Sequence, residues 1–95
     1  MPERKTTYTV KSDAIQGEGS EVTLKYITWA NNRAAIKGEL STDELLEMHV
    51  VSWNWVDGKG KEMKVSKATL DSLFRHEREF LLDALFKPEE MDLKN

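Results

Sequence analysis

Between Ser66 and Pro88, apolar side chains recur at helical spacing, and this run constrains the fold more than any other stretch of the chain. Leu70, Leu73, Phe74, Glu77, Phe80, Leu81, Ala84 and Leu85 share one side of a 3.6-residue period, whereas Asp71, Arg75, Arg78 and Asp83 lie elsewhere. Ser66 is placed to cap this helix and Pro88 to stop it, so the spacing predicts a helix over 67–86, the longest in the chain. The stripe, with Phe80-Leu81-Leu82 and Leu85-Phe86 side by side, is wide enough to cover more than one neighbour. Leu82 and Phe86 fall to one edge of it and are positioned to face a partner.

The neighbours are legible upstream. Tyr8-Thr9-Val10 has strand chemistry, and Glu21–Ile27 alternates cleanly, with Val22, Leu24 and Tyr26 on one face and Thr23 and Lys25 on the other. These stretches predict an antiparallel hairpin joined by a long loop, Ser12–Ser20, that carries Gly17 and Gly19. Thr28 is an N-cap for a short helix over Trp29–Ile36, which Gly38 would end. Ser41-Thr42-Asp43-Glu44 is a capping box, so a helix should run from Thr42 to about Val50, burying Leu45, Leu46, Met48 and His49. Val50–Val56 is rich in strand formers, Asp57-Gly58 signals a turn and Lys61–Val65 could return, so a small hairpin or an irregular Trp-anchored turn is expected here. The expected fold is α+β: a small N-terminal hairpin packed with two or three helices. Residues 1–7 and 88–95 read as flexible tails on a single domain.

A chain of 95 residues and 10.9 kDa fits one domain. Its folded surface should be roughly 5,600 Å². There is no cysteine, which removes disulfides, thiolate nucleophiles and cysteine-based zinc sites. No apolar run is long enough for a signal peptide or a membrane span. A net charge of −3 argues against nonspecific binding to nucleic acid or anionic lipid.

No constellation for catalysis emerges, and the chain is read as a non-enzyme. His76 sits among charges on the last helix and reads as solvated; His49 reads as a structural histidine on an apolar face. Neither has the H-E-x-x-H spacing of a zinc hydrolase. Gly17-Glu18-Gly19 lacks the third glycine of a dinucleotide loop, and Gly58-Lys59-Gly60-Lys61 lacks the hydroxyl residue of a phosphate loop. No cofactor or metal is expected. Lys59, Lys61, Lys64 and Lys67 lie beside Trp53 and Trp55, a mixture able to bind single strands, although Asp57 and Glu62 interrupt it. Trp53 and Trp55 share one face of a strand. They either plug the core or form a protein-binding patch, tryptophan being enriched among binding hot spots. Trp53, Trp55, Leu82 and Phe86 are therefore the candidate protein-binding residues.

The order of elements, and above all Val51-Ser52-Trp53-Asn54-Trp55-Val56-Asp57-Gly58-Lys59-Gly60 ahead of a leucine-rich helix, resembles small tail assembly chaperones of long-tailed bacteriophages. In that family a W-N-x-V/T-D-x-x-G stretch often precedes the C-terminal helix. The chain departs from the pattern after Gly60, where Lys61-Glu62-Met63-Lys64 stands in place of a proline-containing segment. The resemblance implies a holdase for the tape-measure protein, a long helical protein, while tail tube subunits polymerise around it. It also implies release before the virion is complete, residence in the cytoplasm of the bacterial host without secretion, and a short form that ribosomal frameshifting can extend.

Other readings are a structural virion component, such as a head-tail connector or minor tail protein, and a small nucleic-acid-binding regulator using the lysine run. In the structural reading the Ser12–Ser20 loop would be an arm that orders on assembly. A homo-oligomer fits the same wide stripe.

Overall fold

Strict alternation of apolar and polar residues at the start of the chain forces a two-faced sheet. The computed structural model describes residues 3–94, so Met1, Pro2 and Asn95, parts of the expected flexible tails, lie outside the described residues. Strand β1 (Thr7–Lys11) pairs antiparallel with β2 (Glu21–Lys25), Thr7 opposite Lys25 and Lys11 opposite Glu21. Tyr8, Val10, Val22 and Leu24 point inward and are buried. Thr9 and Thr23 stand opposite each other on the other face, with their hydroxyls hydrogen-bonded at 2.7 Å. Tyr26, expected with the inward set, lies past the end of β2 and is exposed.

Strand β3 (Val50–Trp53) joins the free edge of β2, giving the order β1-β2-β3. Trp53 pairs with Val22, Ser52 with Thr23, and Val50 with Leu24, which leaves Val51 as an extra residue in a β-bulge. The bulge shifts the alternation by one, so Val50 and Trp53 both face the core although they are three residues apart. Val51 is turned out to solvent.

The helices are short and numerous, five α-helical segments among the described residues where two or three were expected, in the α+β fold with an N-terminal hairpin that the pattern predicts. Helix α1 (Asp13–Gln16) lies inside the β1–β2 connection. That connection is a closed structure rather than a loose arm. The Ser12 N–H donates to the Ser20 carbonyl at 2.9 Å, and Gly17 and Gly19 turn with positive φ. Helix α2 (Trp29–Ile36) is capped by Thr28, whose Oγ1 accepts from the Asn31 N–H at 3.1 Å. It ends in a Schellman motif: Glu39 N–H to Ala34 O at 2.8 Å and Gly38 N–H to Ala35 O at 3.1 Å. Helix α3 (Thr42–His49) starts on the capping box read from sequence, with both hydrogen bonds formed at 3.1 Å. It buries Leu45, Leu46 and His49; Met48, expected among them, is exposed.

The helix expected over 67–86 is broken. Helix α4 (Lys67–Ser72) starts on Ser66, as read, and stops. Leu73 and Phe74 are extended, with ψ of 147° and 157°, and helix α5 (Arg75–Phe86) then begins. Ser72 turns its hydroxyl back onto the Thr69 carbonyl at 2.7 Å, a local bond that competes with continuing the helix. Glu77 Oε1 accepts the Phe74 N–H at 2.8 Å and caps the new helix. Leu73 stays buried, while Phe74, assigned to the stripe, is 69% exposed. Arg78 ties the pieces together, pairing with Asp43 of α3 and Asp71 of α4.

The C-terminal segment is also more ordered than a flexible tail. A 3-10 turn at Pro88–Glu90 leads to a bridge between Leu93 and Val10 on the outer edge of β1. Lys11 N–H donates to Asp92 O and Lys94 N–H to Thr9 O, each at 2.8 Å, so the chain end covers an edge that would otherwise expose unpaired backbone. At the other end Thr7, placed in the lead-in, belongs to β1.

A single core cluster joins the sheet's inner face to α3, α4 and α5, with Val10, Val22, Leu24, Leu46, Trp55, Leu81 and Ala84 fully buried. The molecule is flat, 38 × 35 × 21 Å, as two layers of elements require.

Candidate protein-docking face

The candidate binding residues separate into buried and exposed sets. Trp53 and Trp55 share a face, as their spacing predicts, and stack with ring centroids 5.0 Å apart and planes 4° from parallel. Both are buried, Trp55 completely and Trp53 except where it lines a groove with Val51, Met63 and Val65, so both act as core side chains rather than as the exposed binding residues expected. Each polar edge is satisfied internally: Trp53 Nε1–H donates to Met63 O at 2.8 Å and Trp55 Nε1–H to Ser12 Oγ at 2.9 Å. Leu82 is half-buried against the core, while Phe86 is 37% exposed.

The remaining residues of the Trp53–Gly60 stretch also serve the fold. Asn54 bridges β2 and its preceding turn, accepting from Glu21 N–H at 2.8 Å and donating to Gly19 O at 3.0 Å. Asp57 Oδ1 accepts from the Lys59 and Lys61 amides at 2.8 and 3.0 Å. Gly60 turns with φ of 78°, where a side chain would be strained. The turn is an irregular loop closed by a bridge between Val56 and Glu62, not a regular second hairpin.

Burial of both indoles leaves the lysine run at Lys59–Lys67 without the stacking platform read beside it. Lys59, Lys61, Lys64 and Lys67 remain exposed, with neither Trp53 nor Trp55 open to stack a base. His49 is buried, its Nδ1 2.7 Å from Leu45 O; a carbonyl only accepts, so Nδ1 carries the proton. His76 is exposed and stacks on Phe74 at 6.0 Å. It lines a shallow groove with Gln16, Asp57, Ser72 and Glu77. The acids there are committed: both Glu77 oxygens accept structural hydrogen bonds, and Asp57 holds its turn. Among the described residues no three His, Asp or Glu side chains converge as a metal site would require, and no helix is long and apolar enough to cross a membrane.

The exposed apolar surface lies instead on α2. That helix has no fully buried side chain; it rests on the core through the half-buried Ala35, while Trp29 and Ile36 are 75% and 79% exposed. Seven residues apart, they fall on one stripe about 10 Å long, with Asn32 and Arg33 between them. Trp29 also lines a groove of about 300 Å³ with Tyr26, Ile27, Leu85 and Phe86, so the stripe continues onto the end of α5. On its other side Trp29 lines a second groove together with Arg4, Lys5 and Lys25. Periodicity could not find this face, because the short α2 segment has no amphipathic pattern; the signal was the pair of large apolar residues at its two ends. The total accessible surface, 6671 Å², exceeds the roughly 5,600 Å² expected for a compact monomer of this mass.

Comparison with protein-family models, curated proteins and solved structures gives no match to this chain.

Proposed function

We propose that this chain is a tail assembly chaperone of the long-tailed bacteriophage type, which binds the tape-measure protein while the tail tube polymerises. The observation that carries the reading is α2, a helix with no fully buried side chain that holds Trp29 and Ile36 out to solvent. Contiguous large apolar groups at a protein surface mark sites that bind other polypeptides. A helical partner fits, because Trp29 and Ile36 stand at i and i+7 on α2, the two-turn spacing at which an amphipathic helix carries its apolar anchors. The resemblance in Val51–Gly60 supplies the setting, and those residues act by shaping the turn rather than by touching the partner. No enzymatic step belongs to this reading.

The test is co-expression with a tape-measure protein from the same genome, followed by analysis of finished particles. The expected result is co-purification with the tape-measure protein and absence from mature virions. Stoichiometric presence in virions, or rings and tubes formed by the pure chain, would replace this reading with a structural one.

A further inference from the structure

Electrostatics around the docking face narrow the partner's chemistry. The chain carries a net charge of −3, yet the surroundings of Trp29 are basic. Arg4, Lys5 and Lys25 line the groove beside its indole, with no acid among that groove's lining residues. Arg33 is exposed on the stripe between Trp29 and Ile36, and Lys37 follows at the helix end. Two acids adjoin the face: Glu89 lines the groove between Trp29 and Phe86, and Glu39 follows Gly38, so the positive side of the face is the one formed by Arg4, Lys5, Lys25, Arg33 and Lys37. Apolar anchors flanking a cation at helical spacing are complementary to a helix with apolar residues one turn to either side of a carboxylate.

From this we infer that the α2 face docks an acidic amphipathic helix, through Trp29, Ile36 and Phe86 for its apolar stripe and Arg33 with Lys25 for its carboxylates. The inference rests on the holdase reading and specifies its partner. A second copy of the chain is disfavoured as the occupant, since a two-fold interface would set this basic face against itself. A single-stranded nucleic acid would engage Trp29 and the cations but leave Ile36, 79% exposed, without a partner.

The experiment titrates the full chain with two synthetic helical peptides of about three heptads, each with leucine at the a and d positions and either Glu or Lys at the flanking positions. Calorimetry and the blue shift of Trp29 emission report binding; a poly-dT oligonucleotide and phosphatidylserine vesicles are run in parallel. The expected result is at least about tenfold tighter binding of the Glu peptide, a preference that shrinks with added salt. Arg33→Glu should erase that preference, and Trp29→Ala should weaken the Glu peptide by about tenfold or more. Equal or tighter binding of the Lys peptide would overturn the acidic partner while leaving a helix-binding holdase intact. Binding of neither peptide would overturn both, as would capture of only the oligonucleotide or only the vesicles. Self-association that Trp29→Ala abolishes would assign the face to a second copy and overturn the inference.

Discussion

Gln16 Nε2–H donates to Glu77 Oε2 across 2.6 Å, joining a helix inside the first strand connection to the start of the last helix, 61 positions away in sequence. The same carboxylate caps α5 through its other oxygen, and the Gln16 side-chain carbonyl accepts the Val56 N–H at 3.1 Å. A single buried acid thus fixes where the helix breaks and ties that break to the loop after β3.

Glu77→Ala should destabilise the protein by about 2–3 kcal/mol, because it strands the Phe74 amide and the Gln16 amide together. Glu77→Gln keeps an acceptor and should cost about half as much. Urea unfolding followed by far-ultraviolet dichroism checks both.

Phe74→Ser should stabilise, by about 0.5–1 kcal/mol. Phe74 is the N-cap of α5 and cannot accept from its first turn, whereas serine there with Glu77 at N3 completes a capping box. The mostly exposed ring forfeits little beyond its stacking on His76. Were 67–86 one continuous helix, the same substitution would place a poor helix former mid-helix and destabilise. A thermal unfolding midpoint distinguishes the two signs.

The 67–86 stripe misled because its arithmetic is indifferent to the break. Leu70 and Leu73 belong to one helix end and Phe80, Leu81, Ala84 and Leu85 to the next, and both sets meet the same core. The clue was Glu77, an acid within an apolar stripe and three residues after Phe74. Strand alternation and the Ser41 capping box were legible because each is set by neighbours a few residues away. The β3 bulge, the docked chain end and the exposure of Trp29 depend on residues far apart in sequence, Leu93 on Val10 among them, and local pattern carries no record of them. For Trp53 and Trp55 the spacing told which face they share but not what covers it.

Tyr8 bears on stability at high pH. Its hydroxyl donates to the Ala84 carbonyl at 2.6 Å, in the last turn of α5, where residue 88 is proline and has no N–H to offer. Burial, then the neighbouring Tyr26 and Glu89, push the phenol well above its ordinary value of 10.0. The folded state therefore holds this proton more tightly than the unfolded chain, and the stabilisation is complete below about pH 10 and lost as pH rises above it. Tyr8→Phe should cost about 1–2 kcal/mol near neutrality and show a shallower alkaline decline than the parent. Urea midpoints measured from pH 7 to about pH 11 give both quantities.

Trp55 and Trp29 should behave as opposites. Trp55→Ala empties a fully buried site, with a cost of about 3–5 kcal/mol, a large share of the stability of a domain this small. Trp29→Ala removes an exposed ring and should shift stability by no more than about 0.5 kcal/mol. Denaturant titration of the two variants checks the contrast.

The most direct test is capture of the tape-measure protein by a Trp29→Ala, Ile36→Ala double variant in co-expression, with folding confirmed by dichroism. A folded variant that no longer co-purifies with the tape-measure protein is the predicted result. Undiminished capture by that folded variant would show that the partner is held elsewhere and contradict the assignment of α2 as the docking face.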